Sequence, residues 1–185
     1  MRNPSRPVIP ALATILALTA CAEPGTVPTP AAAEAPAPAC LTSDLEATVT
    51  LRAATGTSLE RTALVTLINV AGQDCTVDGW LTVTLATAGR RVLPVPTTKL
   101  DEPAPAHEFV VRPHQAAYAG LRWTSCARTE EDCHAGGTLR YDMGQSKDGP
   151  AAVLADFPTS RRNGITMNEL RIGSLQQFSD RALDW

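Results

Sequence analysis

Aromatic residues are scarce. Three Trp, three Phe and two Tyr make up 4% of the 185 residues, so any core must rest on Val, Leu, Ile and Ala. Basic charge is in no excess: 16 Lys and Arg face 19 Asp and Glu, for a net charge of −3. That balance argues against a nucleic-acid partner, which would call for a basic patch. An unbroken apolar run of about 18 residues is also missing, so no helix is expected to span a membrane. Catalytic signatures are thin as well. The chain has three histidines and contains neither C-x-x-C, nor the G-x-S-x-G nucleophile turn, nor a Gly-rich phosphate loop. What it does have is 44% hydrophobic residues and 15 prolines, enough for one folded domain with appendages.

The amino terminus, MRNPSRPVIPALATILALTAC, carries Arg2 and Arg6 ahead of an apolar stretch from Val8 to Ala20. Its length suits a signal-peptide core and is too short to cross a bilayer. It ends Leu18-Thr19-Ala20-Cys21, which resembles the lipobox of bacterial lipoproteins. The resemblance implies cleavage before Cys21 and lipid on its thiol. Two acyl chains give stable anchoring where one gives marginal binding. Paired arginines of a twin-arginine signal are absent, so export by the general route is expected. Residues 22–39 follow with five prolines and seven alanines. Such a segment cannot bury a core and favours extended, polyproline-like backbone. Its 18 residues could reach about 55 Å, a spacer that lifts a domain off the membrane. The expected division is a signal peptide at 1–20, a lipidated cysteine with tether at 21–39, and a folded domain at 40–185.

From Cys40 onward the pattern is of short strands. Leu45, Ala47, Val49, Leu51 and Ala53 alternate with Glu46, Thr48, Thr50 and Arg52, a period of two. Ala63 to Val70 is almost continuously apolar and reads as a strand buried on both sides. Leu81, Val83 and Leu85 alternate with threonines, and Arg91 to Val95 follows across Ala88-Gly89 as a hairpin. Phe109 to Arg112 halts at Pro113. Gln115 to Thr124 puts Ala117, Ala119, Leu121 and Trp123 on one face, with Tyr118 and Arg122 on the other. Thr138 to Met143, Ala151 to Ala155 and Ile165 to Gly173 complete about nine segments. Helical periodicity is limited to a turn near Leu175 to Ala182. This spacing predicts an all-β fold: an antiparallel immunoglobulin-like β-sandwich of about seven to nine strands.

Five cysteines become four once Cys21 is lipidated: Cys40, Cys75, Cys126 and Cys133. An even set in an oxidising compartment predicts two structural disulfides, for which three connectivities exist. The favoured pairs are Cys40–Cys75, tying the domain start to the loop ahead of Trp80, and Cys126–Cys133, closing an acidic loop. Chain entropy assigns them about 3.8 and 2.5 kcal/mol respectively.

Several segments together carry a family resemblance. They are Cys40 at the domain start, the apolar strand ending in Asn69, Cys75-Thr-Val-Asp-Gly-Trp-Leu, and Arg112-Pro-His-Gln-Ala-Ala-Tyr-Ala-Gly-Leu-Arg-Trp. In these the chain resembles an uncharacterised family of exported proteins from high-GC Gram-positive bacteria, the domain of unknown function numbered 4232. The resemblance implies a lipoprotein with a low-complexity tether and brings no reaction with it. Leu81 and His114 depart from the family pattern, which has Pro and Gly near those positions.

Candidate chemistry is sparse. His107 and His114 flank Pro113, and His134 abuts Cys133, so the three histidines read as solvated loop residues and not as a metal site. Glu130, Glu131 and Asp132 are consecutive and read as an acidic loop tip that lacks calcium-ligand spacing. Trp123 shares a face with core residues, and Trp80 is expected to pack on a disulfide. Tyr118 and Arg122, with a cross-strand neighbour, form the best surface candidate for a polar-aromatic patch. The terminal Arg181, Asp184 and Trp185 suggest docking of the tail. The expectation is a non-catalytic module without cofactor or metal. It sits on the outer face of the cell membrane through the lipid on Cys21, and binds an envelope protein, a glycan or a small ligand. The alternative is an envelope hydrolase or metal-handling protein whose residues converge only in three dimensions.

Overall fold

Leu45, Ala47 and Val49 are buried while Glu46 is exposed, so the alternation read from the sequence becomes a real two-sided strand. The computed structural model describes residues 35–53, 59–157 and 164–185. The signal segment, Cys21 and most of the tether lie outside these residues. The described chain is nearly all β. Its strands are β1 (Leu45–Leu51), β2 (Glu60–Asn69), β3 (Cys75–Val77), β4 (Thr82–Ala86), β5 (Thr97–Leu100) and β6 (Phe109–Val111). They continue with β7 (Ala116–Thr124), β8 (His134–Gly136), β9 (Thr138–Asp142), β10 (Val153–Ala155), β11 (Ile165–Met167) and β12 (Leu170–Gly173). Two 3-10 turns, Thr42–Asp44 and Arg181–Leu183, are the helical pieces among the described residues.

One six-stranded sheet runs in the order β10-β1-β2-β7-β12-β5. Its inner pairings are antiparallel, while β1–β10 and β12–β5 are parallel. The sheet is therefore mixed, which corrects the expectation of antiparallel strands throughout. Alternation gives a strand its faces but not its neighbours, and a parallel neighbour arrives through a long crossover that local pattern does not encode. Antiparallel ladders β4–β9, β3–β6 and β8–β11 make up the remaining strands. Inward side chains of the sheet, such as Val65, Leu121 and Ile172, form one core with Val83, Leu139 and Val111 of the ladders.

Three expected segments take different forms. Arg91 to Val95 makes only a bridge from Val92 to Ala86, because Pro94 and Pro96 lack the N–H a ladder needs. Ile165 to Gly173 divides in two: β11 pairs with β8, and β12 with β7 and β5. The β2 run is buried on one side only at its end, where Ile68 is exposed. Cys75–Val77, Thr97–Leu100 and His134–Gly136 are strands that the pattern did not announce.

The structure contains disulfides Cys40–Cys75 and Cys126–Cys133. Both suit an oxidising compartment outside the cytoplasm. Among the described residues no helix is long and apolar enough to cross a membrane. Two buried polar groups pin the layers. Tyr141 donates its hydroxyl to the Leu45 carbonyl at 2.6 Å, joining β9 to β1. Burial raises its pKa above the ordinary phenol value, against the lowering effect of a backbone bond from Ala47. Asn69, fully buried, donates its amide to the carbonyls of Gln73 and Val111 and accepts from Ala71 N–H. It thereby locks the end of β2 to β6.

Candidate functional site on the outer face of the sheet

Strand β7 presents Tyr118 and Arg122 on the face away from the core, as alternation predicts, since Ala117, Ala119, Leu121 and Trp123 are buried. The two do not share one patch. Beyond β12 the chain gains one residue relative to β7: Ile172 pairs with Leu121, yet Gln176 bridges Tyr118. This is the count of a β-bulge. Ser174 fills it, donating to the Ala104 carbonyl at 2.6 Å. The tail then returns over β7. The Arg122 guanidinium lies 4.6 Å from the centre of the Trp185 ring, 3.6 Å from Glu60, and 3.4 Å from the Leu183 carbonyl. A Cβ on Gly120 would collide with the Ala182 carbonyl and stand 2.7 Å from the Trp185 indole nitrogen. Gly120 and Gly173 are thus the flat ground on which the terminal Trp sits.

Tyr118 lies at the other end, where the outer face is open. It lines a hollow of about 480 Å³ with Thr66, Ile68, Val110, His114 and Phe178. Thr66 is its direct cross-strand neighbour on β2. Phe178 is 56% exposed, Val110 41% and Ile68 37%. The turn Arg112-Pro113-His114-Gln115 forms one rim, closed by Gln115 N–H to the Arg112 carbonyl at 2.9 Å. His114 has φ of 64°, the left-handed region that such a turn demands after Pro and that glycine adopts without cost. His114 N–H in turn donates to the Asn69 carbonyl, so the buried Asn69 fixes the rim.

Ile68, Val110 and Phe178 were missed in the sequence because each looks ordinary where it stands. Ile68 falls inside an apolar run, Val110 inside a three-residue strand, and Phe178 in a polar tail. The available signal was phase: Ile68 lies out of step with Leu67 and Val65, which are fully buried.

Other candidates resolve into structure. Trp123 is a core residue, stacked on Phe157 with centroids 6.5 Å apart. It edges a cavity of about 230 Å³ beside Cys126 and Ser125. Trp80 donates its indole N–H to the Leu100 carbonyl at 2.7 Å, bracing β5. His107 tilts against Phe109, His114 is in the turn, and His134 pairs with Met167 in β8–β11. Among the described residues no three His, Cys, Asp or Glu side chains gather as a metal site. Glu130 folds back onto Ala127 N–H within the small disulfide loop, where Glu131 and Asp132 are exposed. Burial opposes the charge of Asp142. Hydrogen bonds from the Thr42 hydroxyl and from the N–H groups of Ser146 and Gly144 outweigh it, holding the carboxyl below its ordinary range.

A family model described as a domain of unknown function (DUF4232) matches residues 40–176. The chain belongs to this family. The DUF4232 match takes in both disulfides, Asn69, the His114 turn and Tyr118, and ends at the Gln176 bridge. Phe178 and Trp185 lie past its end. No curated protein and no solved structure matches the chain.

Proposed function

We propose that the protein is a lipid-anchored, extracytoplasmic binding module with an immunoglobulin-like sandwich plan, holding an envelope protein at its outer-face hollow without chemical turnover. The lipobox-like Leu18-Thr19-Ala20-Cys21 and the Pro/Ala-rich tether support anchoring through Cys21. The family resemblance supports a high-GC Gram-positive host.

One observation carries the binding role: Phe178, Val110 and Ile68 stand exposed around Tyr118 on a rim fixed by buried Asn69. Apolar and aromatic side chains presented together on a rigid frame are the anatomy of a protein-binding anchor. The aliphatic share of the surface favours a protein over a glycan, which stacks on flat aromatic faces.

The test is a photo-crosslinking amino acid at Phe178 in the full chain, expressed in cells, with Glu131 as a control position on the acidic loop. A discrete adduct from position 178 and none from 131 is expected. Equal labelling at both positions, or a glycan as the sole adduct, would sink the protein-anchor reading. Fractionation with Cys21→Ser is expected to move the chain from the membrane to the soluble fraction.

A further inference from the structure

A groove of about 630 Å³ runs between the edges of β4 and β5, away from the outer-face hollow. It lies within the 300–1,000 Å³ or so usual for small-molecule sites. Val83 and Ile172, both core residues, make its floor, and Leu93 and Val95 make one wall. Thr97 and Lys99 pair in register with Leu170 and Ile172 of β12. Registered neighbours share a face, so Lys99 points to the core side of the sheet from an edge strand. Its ammonium reaches to 3.5 Å from the Thr82 hydroxyl across the groove.

The chain has only two lysines, Lys99 and Lys147, and both line this groove. Among the described residues no carboxylate lines it. Among the described residues neither lysine forms a salt bridge. Asp142, which pairs with Thr82 in the ladder, spends its oxygens on Thr42, Gly144 and Ser146. The threonine hydroxyls are committed too: Thr82 donates to Gly144, Thr84 to Lys147 and Thr97 to Val95, each at a backbone carbonyl. Beside the amide of Gln145, the polar resource here is positive charge that meets no carboxylate among the described residues, set beside an apolar floor. An inward lysine on an edge strand also guards against unwanted strand pairing. That role explains Lys99 but uses neither Lys147 nor the apolar floor.

We infer that this groove binds a small anionic amphiphile, its acidic head between Lys99 and Lys147 and its apolar body over Val83, Leu93, Val95 and Ile172. The site stands independently of the hollow around Tyr118.

Because the two lysines are the only ones, ¹³C-dimethylation of the full chain places one NMR reporter on each. Decyl phosphate, titrated below its micellar concentration, is expected to shift both signals along one saturating curve. Lys99→Gln and Lys147→Gln, each at the surface, are each expected to weaken binding about tenfold, the loss of one charge-assisted contact. Neutral decyl maltoside is expected to leave the signals in place. Vesicles of anionic phospholipid that shift the same signals would assign the head to a bilayer lipid; a shift with decyl phosphate alone would assign it to a free amphiphile. Unmoved signals overturn the inference. So does inorganic phosphate acting as strongly as decyl phosphate, which would reduce the site to an adventitious ion only. Phe178→Ala leaves the titration unchanged, so failure here and failure at the hollow are told apart.

Discussion

The two ends of β7 share a strand and a face, yet meet opposite fates. At Arg122 the protein covers its own sheet: the tail folds back, Trp185 lies on Gly120 and Gly173, and the guanidinium caps the ring. Four residues away, at Tyr118, the same face stays open, with Phe178 of that tail standing 56% exposed beside it. A chain able to sheathe one end with a tryptophan leaves aromatic surface bare at the other. The difference lies in small residues. Glycine at 120 and 173 lets the tail approach the backbone closely, whereas beside Tyr118 the tail pairs through the Gln176 backbone and leaves Phe178 standing at the edge of the hollow.

Filling the flat ground should break the comparison most strongly. Gly120→Val puts side-chain atoms where the Ala182 carbonyl and the Trp185 ring now lie. Overpacking of this kind costs about 1–3 kcal/mol. Urea unfolding should show that loss, and carboxypeptidase should trim the tail far faster than in the parent. An unchanged midpoint would mean that the tail does not rest on β7. Removing the cover from the other side is milder. Trp185→Ala loses half-buried ring surface and the cation contact from Arg122, together about 1.5 kcal/mol. The same unfolding assay measures it. The two substitutions meet at one contact, so the double variant should fall short of their sum.

The strands that bury a regular alternation, β1, β4, β7 and β9, were legible, as was the division of β7 into a core face and an outer face. Parity announced two disulfides and left three connectivities open; the favoured pairs are the ones the structure contains. What alternation could not supply was adjacency. β5 reads Thr-Thr-Lys-Leu, with three residues exposed, and exists as a strand because β12 offers it a parallel partner. The cover over Arg122 was legible only as a terminal Trp in search of a surface. Its seat needs the bulge after Gly173, which shifts the tail by one residue against β7. The hollow gathers β2, β6, β7 and the tail, and no window of sequence contains all four. The Lys99–Lys147 groove was missed for the same reason.

Arg122→Gln sharpens the comparison by leaving Trp185 in place and removing its cap. The ring contact is worth about 0.5–1 kcal/mol at an exposed position. The partner Glu60 is more than half exposed at 3.6 Å, so that ion pair adds little. The expected loss is under about 1 kcal/mol, and raising salt should erase only the part that belongs to Glu60. A loss as large as that of Trp185→Ala would give Arg122 a larger share in holding the tail than the stacked contact alone provides.

Phe178→Ala should show the smallest effect on the fold and the largest on binding. The ring is 56% exposed, with the Arg181 guanidinium 6.0 Å from its centre. Surface truncations of this kind stay within about 0.5 kcal/mol. If Phe178 anchors a partner, the variant should unfold at the parent midpoint while losing the crosslinked adduct obtained at neighbouring Gln177. If Phe178 belongs instead to the cover, its removal should cost stability on the scale of Trp185→Ala and loosen the tail to carboxypeptidase. The two ends of β7 would then be one continuous sheath, and the bare aromatic surface would lose its claim as a docking site. Measuring stability and adduct yield on the same protein separates an anchor, which moves only the second, from a strut, which moves the first.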